Sequence, residues 1–189
     1  MRIISGNFKG YKLFMAKNKS TRPLKDSARE SIFNLLTHSN NILFKLDNSN
    51  ILDLYAGTGS FGLECLSRNA KSVCFVENQK EAFNTLKKNI KKMKIKKQTR
   101  LFFSDVFTLI NKTKFSSEKF NLIFCDPPFR EINIKKLIKL IFENNFLDPN
   151  GIIILHRDKK TKDVFPDCFS ILDERIYGIS KVIFGKFLR

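Results

Sequence analysis

The residues of this chain best suited to chemistry stand together at Asp126-Pro127-Pro128-Phe129. They follow the apolar run Asn121-Leu122-Ile123-Phe124-Cys125, which reads as a buried strand. Neither proline can donate a backbone N–H and each fixes φ, so the strand must end there. The end presents a carboxylate, a rigid carbonyl on Pro127 and the aromatic face of Phe129. That set suits a flat nitrogenous base bearing an exocyclic amine. Asp126 and the Pro127 carbonyl accept the two amine protons, and Phe129 stacks on the ring. The plain alternative is a strand end followed by a turn.

A second group lies upstream at Asp53-Leu54-Tyr55-Ala56-Gly57-Thr58-Gly59-Ser60-Phe61-Gly62, leaving one apolar run and opening a helix. Gly57, Gly59 and Gly62 let the backbone turn tightly and approach a ligand closely. A Gly-x-Gly-x-x-Gly loop is common to sites for NAD, FAD and S-adenosylmethionine. Asp53 separates these, because a carboxylate there would repel a pyrophosphate. It favours a cationic ligand, such as the amino group and sulfonium of S-adenosylmethionine, with Ala56, Gly57, Thr58 and Gly59 against it.

Glu77, about twenty residues further on, closes a second strand and can accept hydrogen bonds from two ribose hydroxyls. Asn78 beside it is placed to touch an adenine edge. After a third strand, Asp105 can accept from the adenine amine while Val106 packs on the ring. Ser104 and Asp105 are also good helix caps, a role compatible with the first. With such a donor, methyl transfer to an amine is an in-line displacement. Proximity and orientation then supply roughly 7–11 kcal/mol of the acceleration, and Asp126, or water behind it, takes the released proton.

The elements that position these groups alternate strand and helix from residue 50 onward, the mark of an α/β domain with a mostly parallel sheet. Strands are expected at 51–55, 72–77, 99–103, 122–125 and 152–155, with helices at 59–68, 80–93, 106–111 and 134–143. A turn is expected at Asp148-Pro149-Asn150-Gly151, and residues 169–176 and 181–187 read as a closing antiparallel pair. Upstream, Arg2–Ser5 and Tyr11–Phe14 flank a turn and read as a hairpin. Residues 26–37 read as a helix with Ile32, Leu35 and Leu36 on one face and Arg29-Glu30 on the other. The domain division is 1–46 for this hairpin-helix extension and 47–189 for the main domain. All the candidate sites then fall at the carboxyl ends of consecutive strands, where open α/β sheets bind ligands.

Bulk properties narrow the partners. The chain has 189 residues, 42% of them hydrophobic and 28% charged, which describes a globular domain. No apolar stretch is long enough for a membrane span and no secretory h-region opens the chain. Cys65, Cys74, Cys125 and Cys168 are scattered, so no metal site is expected, and the three in apolar runs read as small core residues in a reducing cytosol. A net charge of +17 favours a polyanion such as nucleic acid, although an AT-rich genome would also enrich lysine. The run Lys87-Lys88, Lys91-Lys92, Lys94, Lys96-Lys97 reads as a solvated helix face, with phosphate contact as the alternative.

The glycine loop and Asp126-Pro127-Pro128-Phe129 together resemble the amino-methyltransferases of the S-adenosylmethionine-dependent Rossmann-like superfamily. More narrowly, the chain resembles the bacterial 16S rRNA (guanine-N2)-methyltransferase family. The resemblance runs from Arg2-Ile3-Ile4-Ser5-Gly6 through Thr21-Arg22-Pro23-Leu24-Lys25-Asp26-Ser27-Ala28-Arg29-Glu30-Ser31-Ile32-Phe33-Asn34. It continues in Asp53–Gly59, Gly62-Leu63-Glu64, Ser67-Arg68-Asn69-Ala70, Asp126–Arg130 and Tyr177-Gly178. Departures are Tyr55 where phenylalanine is usual, Leu24 where threonine is common and Asn69 where glycine is common.

The resemblance implies a Rossmann-like methyltransferase fold. It implies methylation of a guanine N2 in 16S rRNA or the assembling small ribosomal subunit, using S-adenosylmethionine; the protein is expected to be a cytoplasmic monomer. It also implies that the segment 22–34 covers the methionine end of the cofactor and borders the RNA; Arg22, Pro128 and Arg130 are expected to contact substrate. The alternatives are an adenine-N6 DNA methyltransferase, which the same motif would serve, and a noncatalytic RNA-binding module. The shortness of the chain argues against the first, since it leaves no evident room for a duplex-reading domain.

Overall fold

A computed structural model of the chain describes residues 1–16, 24–112 and 119–188. Thr21, Arg22 and Pro23 lie outside the described residues. The elements in order are α1 (Asp26–His38), β1 (Asn50–Leu54), α2 (Ser60–Ser67), β2 (Ser72–Glu77), α3 (Lys80–Met93), β3 (Thr99–Phe103), α4 (Val106–Lys112), β4 (Phe120–Cys125), α5 (Ile134–Glu143), β5 (Leu147–Asp158), β6 (Phe169–Tyr177) and β7 (Ser180–Phe187). One seven-stranded sheet has the order β3-β2-β1-β4-β5-β7-β6. β1 to β5 are parallel, and β7 pairs antiparallel with β5 and β6.

The sheet is covered on both faces, which is why its central strands read as unbroken apolar runs. On one face Ile51, Val73, Phe75, Leu122, Phe124 and Ile154 pack with residues of α1, α2 and α3. On the other, Leu52, Leu54, Cys74, Val76, Ile123 and Ile153 pack with α4 and α5. The chain winds from β1 outward to β3, then returns to β4 and β5 on the opposite side of β1. The reversal falls between β1 and β4, the point at which such sheets bind ligands.

Gly62 illustrates the tightness of the packing between α2 and the sheet. A methyl at this position would lie 2.4 Å from Phe75 Cε1 and 2.8 Å from Val73 Cγ1. Gly62→Ala is therefore expected to lower stability by about 1–3 kcal/mol through overpacking. Urea unfolding checks this, and an unchanged midpoint would contradict it.

The segment before β1 joins the same apolar cluster through Ile3, Leu13, Leu24, Ala28, Ile32 and Phe33. The expected hairpin is reduced to a single antiparallel bridge, Arg2 with Lys12, flanked by hydrogen bonds between Ile3 and Tyr11 and between Gly10 and Ile3. Its turn docks on the end of α2, where Asn7 N donates to Ser67 O at 2.7 Å and Phe8 N to Ser67 Oγ at 3.0 Å. Gly6 is required there. Its φ is +81° and a methyl on it would collide with the Ser67 carbonyl.

Two further local expectations need correction. Arg29 is not on an exposed face of α1; it is 0% exposed, on the stripe with Ile32, Phe33 and Leu36, while Leu35 is half-buried. Its guanidinium donates to Arg2 O and to Asp26 Oδ1, and lies against Glu64, so partners supplied by the fold make a charged stripe position tolerable. The Asp148–Gly151 turn does not precede β5 but bulges out of it. The register passes from Phe120 opposite Leu147 to Leu122 opposite Ile152. Asn69, where glycine is common in the resembling family, takes a left-handed φ of 70° just after α2. Asparagine tolerates that conformation better than other non-glycine residues do.

Candidate active site

The loop after β1 starts with Tyr55 at φ 63°, passes Gly57 at 58° and Gly59 at 88°, and enters α2 at Ser60. Each glycine has a separate task. A methyl on Gly57 would meet nothing within 4 Å, so the loop faces open space there, whereas one on Gly59 would lie 2.4 Å from Leu86 Cδ1. Ala56 N donates to Val76 O at 2.9 Å, which seats the loop between β1 and β2.

Asp53 on β1 is 1% exposed, and its Oδ2 accepts from Gly62 N at 3.0 Å. Burial raises its carboxyl well above the ordinary value of 3.8, and the nearby Asp126 and Glu77 add to this, against the lowering effect of the Gly62 N–H. The folded state therefore holds this proton at pH values where the unfolded chain has lost it. Stability contributed by Asp53 is present in acid and is lost as pH rises above the ordinary carboxylate range. Relative to wild type, Asp53→Asn should gain stability as pH rises from about 4 towards neutrality. Paired urea titrations of the ligand-free proteins test this, and a pH-independent difference would contradict it.

Glu77 does more than stand at a strand end. Its Oε2 accepts from Gly57 N at 2.7 Å and its Oε1 from Gln79 N at 2.6 Å. Both oxygens are thus already engaged with backbone, and the carboxylate clamps the glycine loop to the end of β2. Each oxygen retains lone-pair capacity for a hydroxyl. Asn78 is exposed beside it. Asp105 is exposed and caps α4 by accepting from Thr108 N at 2.9 Å, so the cap role holds. Val106 is buried in the α4–α5 cluster. Thr58 is buried, and its carbonyl accepts from Asn89 Nδ2 at 3.0 Å.

Asp126 emerges from β4 next to this loop, its N–H donating to Leu54 O at 3.4 Å across the reversal of strand order. Pro127 is buried, Phe129 half-buried, and Pro128 and Arg130 exposed. Thus Asp53, the glycine loop, Glu77, Asp105 and Asp126 share one edge of the sheet, while Arg22 falls outside the described residues.

Three residues at this edge escaped sequence reasoning. His156, at the end of β5, places Nδ1 2.7 Å from Asp126 Oδ1. Arg157, also buried, binds Asp163 through Nε and Nη2 and donates to the carbonyls of Glu131 at 2.6 Å and Pro128 at 3.4 Å. It therefore holds the chain on both sides of Phe129. Asn89, 0% exposed on α3, accepts from Phe14 N at 2.8 Å and donates to Phe14 O as well as Thr58 O, tying the N-terminal segment to the glycine loop. The available signal for Asn89 was a polar residue on the stripe of Leu86 and Ile90. For His156 and Arg157 it was two polar residues closing four aliphatics.

The lysine run is exposed, as read. Lys92 also has local work, donating to Lys12 O at 2.7 Å and lying over the Tyr11 and Phe14 rings. Cys65, Cys74 and Cys125 are buried free thiols, and Cys168 is half-buried. Among the described residues no cluster of His, Cys, Asp or Glu is placed to hold a metal ion, and no helix is long and apolar enough to cross a membrane.

Residues 1–186 match the protein family described as Conserved hypothetical protein 95. The chain belongs to that family. Among its relatives, Ribosomal RNA small subunit methyltransferase D of Haemophilus influenzae is 34% identical over 179 residues, 95% of this chain and 90% of that protein. The protein of the same name from Escherichia coli is 28% identical over 94% of this chain and 85% of its own length. The solved structure of yhhF from Escherichia coli superposes with a TM-score of 0.84 at 27% identity, over 99% of this chain and 97% of that one. TrmN from Thermus thermophilus, at 16% identity, shares the fold alone, with a TM-score of 0.65 over 85% of this chain and 48% of its own. The Conserved hypothetical protein 95 chain therefore has the mostly parallel, Rossmann-like methyltransferase fold expected from its strand pattern.

The edge fits S-adenosylmethionine on its own chemistry. Glu77 and Asp105 set two carboxylates beside a loop open at Gly57, with the buried Asp53 carboxyl behind it, which suits a ligand with ribose hydroxyls and an amino group and opposes a pyrophosphate.

Proposed function

We propose that this protein methylates the exocyclic N2 amine of a guanine in 16S rRNA, free or in the assembling small ribosomal subunit. The observation that carries this reading is the position of Asp126 beside the acid-rimmed glycine loop at the reversal of strand order. The names of its relatives favour ribosomal RNA as the polyanion that its charge of +17 would attract.

Asp53, Ala56, Gly57, Thr58, Gly59, Glu77, Asn78, Asp105 and Val106 form the cofactor side. Bound S-adenosylmethionine supplies a methyl group on a sulfonium centre. Asp126 and the Pro127 carbonyl accept the amine protons and aim the nitrogen, whose lone pair is otherwise delocalised into the base. Phe129 stacks on the ring, and Asp126 takes the proton that the amine releases. Pro128 within the motif and Arg130 just after it, both exposed, contact the RNA together with Arg22. Residues 1–46 act as an extension of the methyltransferase domain 47–189, and the enzyme works as a cytoplasmic monomer.

The test is transfer of label from S-adenosylmethionine to unmodified small subunits, with naked rRNA and duplex DNA alongside, followed by digestion to nucleosides. N2-methylguanosine from the ribosomal substrate is expected. N6-methyladenine from DNA, or no label from a protein that binds cofactor, would overturn the reading.

A further inference from the structure

The carboxylate on which the proposed transfer depends is not free to turn. β4 and β5 run parallel with Cys125 opposite Leu155, so Asp126 and His156 are the next residues out on neighbouring strands. Their side chains meet at 2.7 Å between Asp126 Oδ1 and His156 Nδ1. His156 is 5% exposed, whereas the Asp126 side chain keeps 21% of its surface open. Against a carboxylate, which only accepts, Nδ1 is a nitrogen that carries a proton. The Phe129 ring lies next to the imidazole, with centroids 5.8 Å apart. His156 also forms part of the wall of a cavity of about 360 Å³, together with Lys25, Ser27, Tyr177 and Ser180.

We propose that His156 is a positioning residue for the acceptor amine. Its Nδ1–H occupies Asp126 Oδ1, so Oδ2 is the oxygen presented to the base, and the carboxylate is set in one orientation before substrate arrives. A carboxylate without that partner rotates broadly about its last torsion, and orientation is where an in-line transfer gains most. His156 acts through Asp126 and does not touch the transferred group. The proposal rests on the role given to Asp126 above.

Three variants and one spectrum test it. His156→Ala is expected to lower kcat by roughly 10- to 100-fold, with the RNA KM and cofactor affinity within about twofold of wild type. His156→Asn keeps an N–H near the position of Nδ1 and should restore kcat to within about threefold. In an Asp126→Ala background, His156→Ala should cost nothing further in single turnover, since the two residues act as one unit. Wild-type kcat in His156→Ala, an equal loss in His156→Asn, or additive losses would each overturn the proposal. Long-range nitrogen–proton NMR of the ligand-free protein reads the imidazole tautomer without any activity. A proton on Nδ1 is expected, and a neutral ring with its proton on Nε2 would overturn the proposal. If wild-type enzyme labels no RNA, the functional reading fails separately and the tautomer alone decides the role of His156.

Discussion

Asp126→Ala is expected to reduce methyl transfer by about 10³-fold while changing cofactor affinity by less than about threefold. The asymmetry follows from the position of the side chain. Asp126 lies at the end of β4, partly open, and its structural partners are His156 and the Leu54 carbonyl reached by its own N–H. The loop expected to hold the cofactor is built without it, from the Glu77 clamp on Gly57, the Asp53 acceptor for Gly62 and the Asn89 donor to Thr58. Loss of the carboxylate removes the acceptor that aims the amine and takes its proton, so the defect belongs in kcat. Single-turnover transfer and calorimetric cofactor binding, measured on the same preparation, separate the two effects. Full activity, or a cofactor affinity that collapses with it, would contradict the assignment.

The largest effect on stability is expected at Glu64. This residue is 0% exposed, yet it organises the N-terminal segment from inside. Its two oxygens accept from Ile4 N at 2.7 Å, Ser5 N at 2.9 Å and Arg68 Nε at 2.9 Å. The Nε of the fully buried Arg29 stands 4.0 Å away, unpaired by any hydrogen bond, and burial holds that guanidinium below its ordinary value. Glu64→Ala strips acceptors from two backbone N–H groups and leaves a buried cation with Asp26 as its remaining carboxylate. Removing one member of such a buried set costs about 3–5 kcal/mol. For a chain of this size that lowers Tm by roughly 6–20 °C. Thermal unfolding monitored by circular dichroism reads the shift directly. A Tm within about 2 °C of wild type would show that the N-terminal segment is held by its apolar contacts.

The two residues connect through the fold. Glu64 fastens residues 4 and 5 and α1 to α2, and α2 opens at the glycine loop. Asn89 fastens residue 14 to the same loop. Loosening the N-terminal segment is therefore expected to reach the cofactor side of the site before it reaches Asp126.

Much of this protein could be read from the order of its residues. Strands β2 and β3 and helices α3 and α5 fall where periodicity and boundary residues put them. The reason is physical and local: a strand covered on both faces, such as β2, must be continuously apolar, and helices covering the sheet must carry a stripe. The candidate groups also declared themselves, because prolines stop a strand and glycines permit positive φ whatever surrounds them. Asp53, Glu77, Asp105 and Asp126 lie at strand ends, and a parallel sheet brings all such ends to one edge.

What the tertiary structure alone decided is which polar groups meet. Nothing in the local sequence around Glu77 says that its oxygens are taken by Gly57 and Gln79, or around Arg29 that Glu64, 35 positions away, makes its burial possible. His156 faces Asp126 because β5 pairs with β4 in one register, and a slip of one residue would turn it to the opposite face of the sheet. Apolar pattern is set residue by residue, through the cost of exposing each side chain to water. A buried polar group is tolerated only when a partner stands at hydrogen-bond distance, and that condition is met by the packing of distant segments.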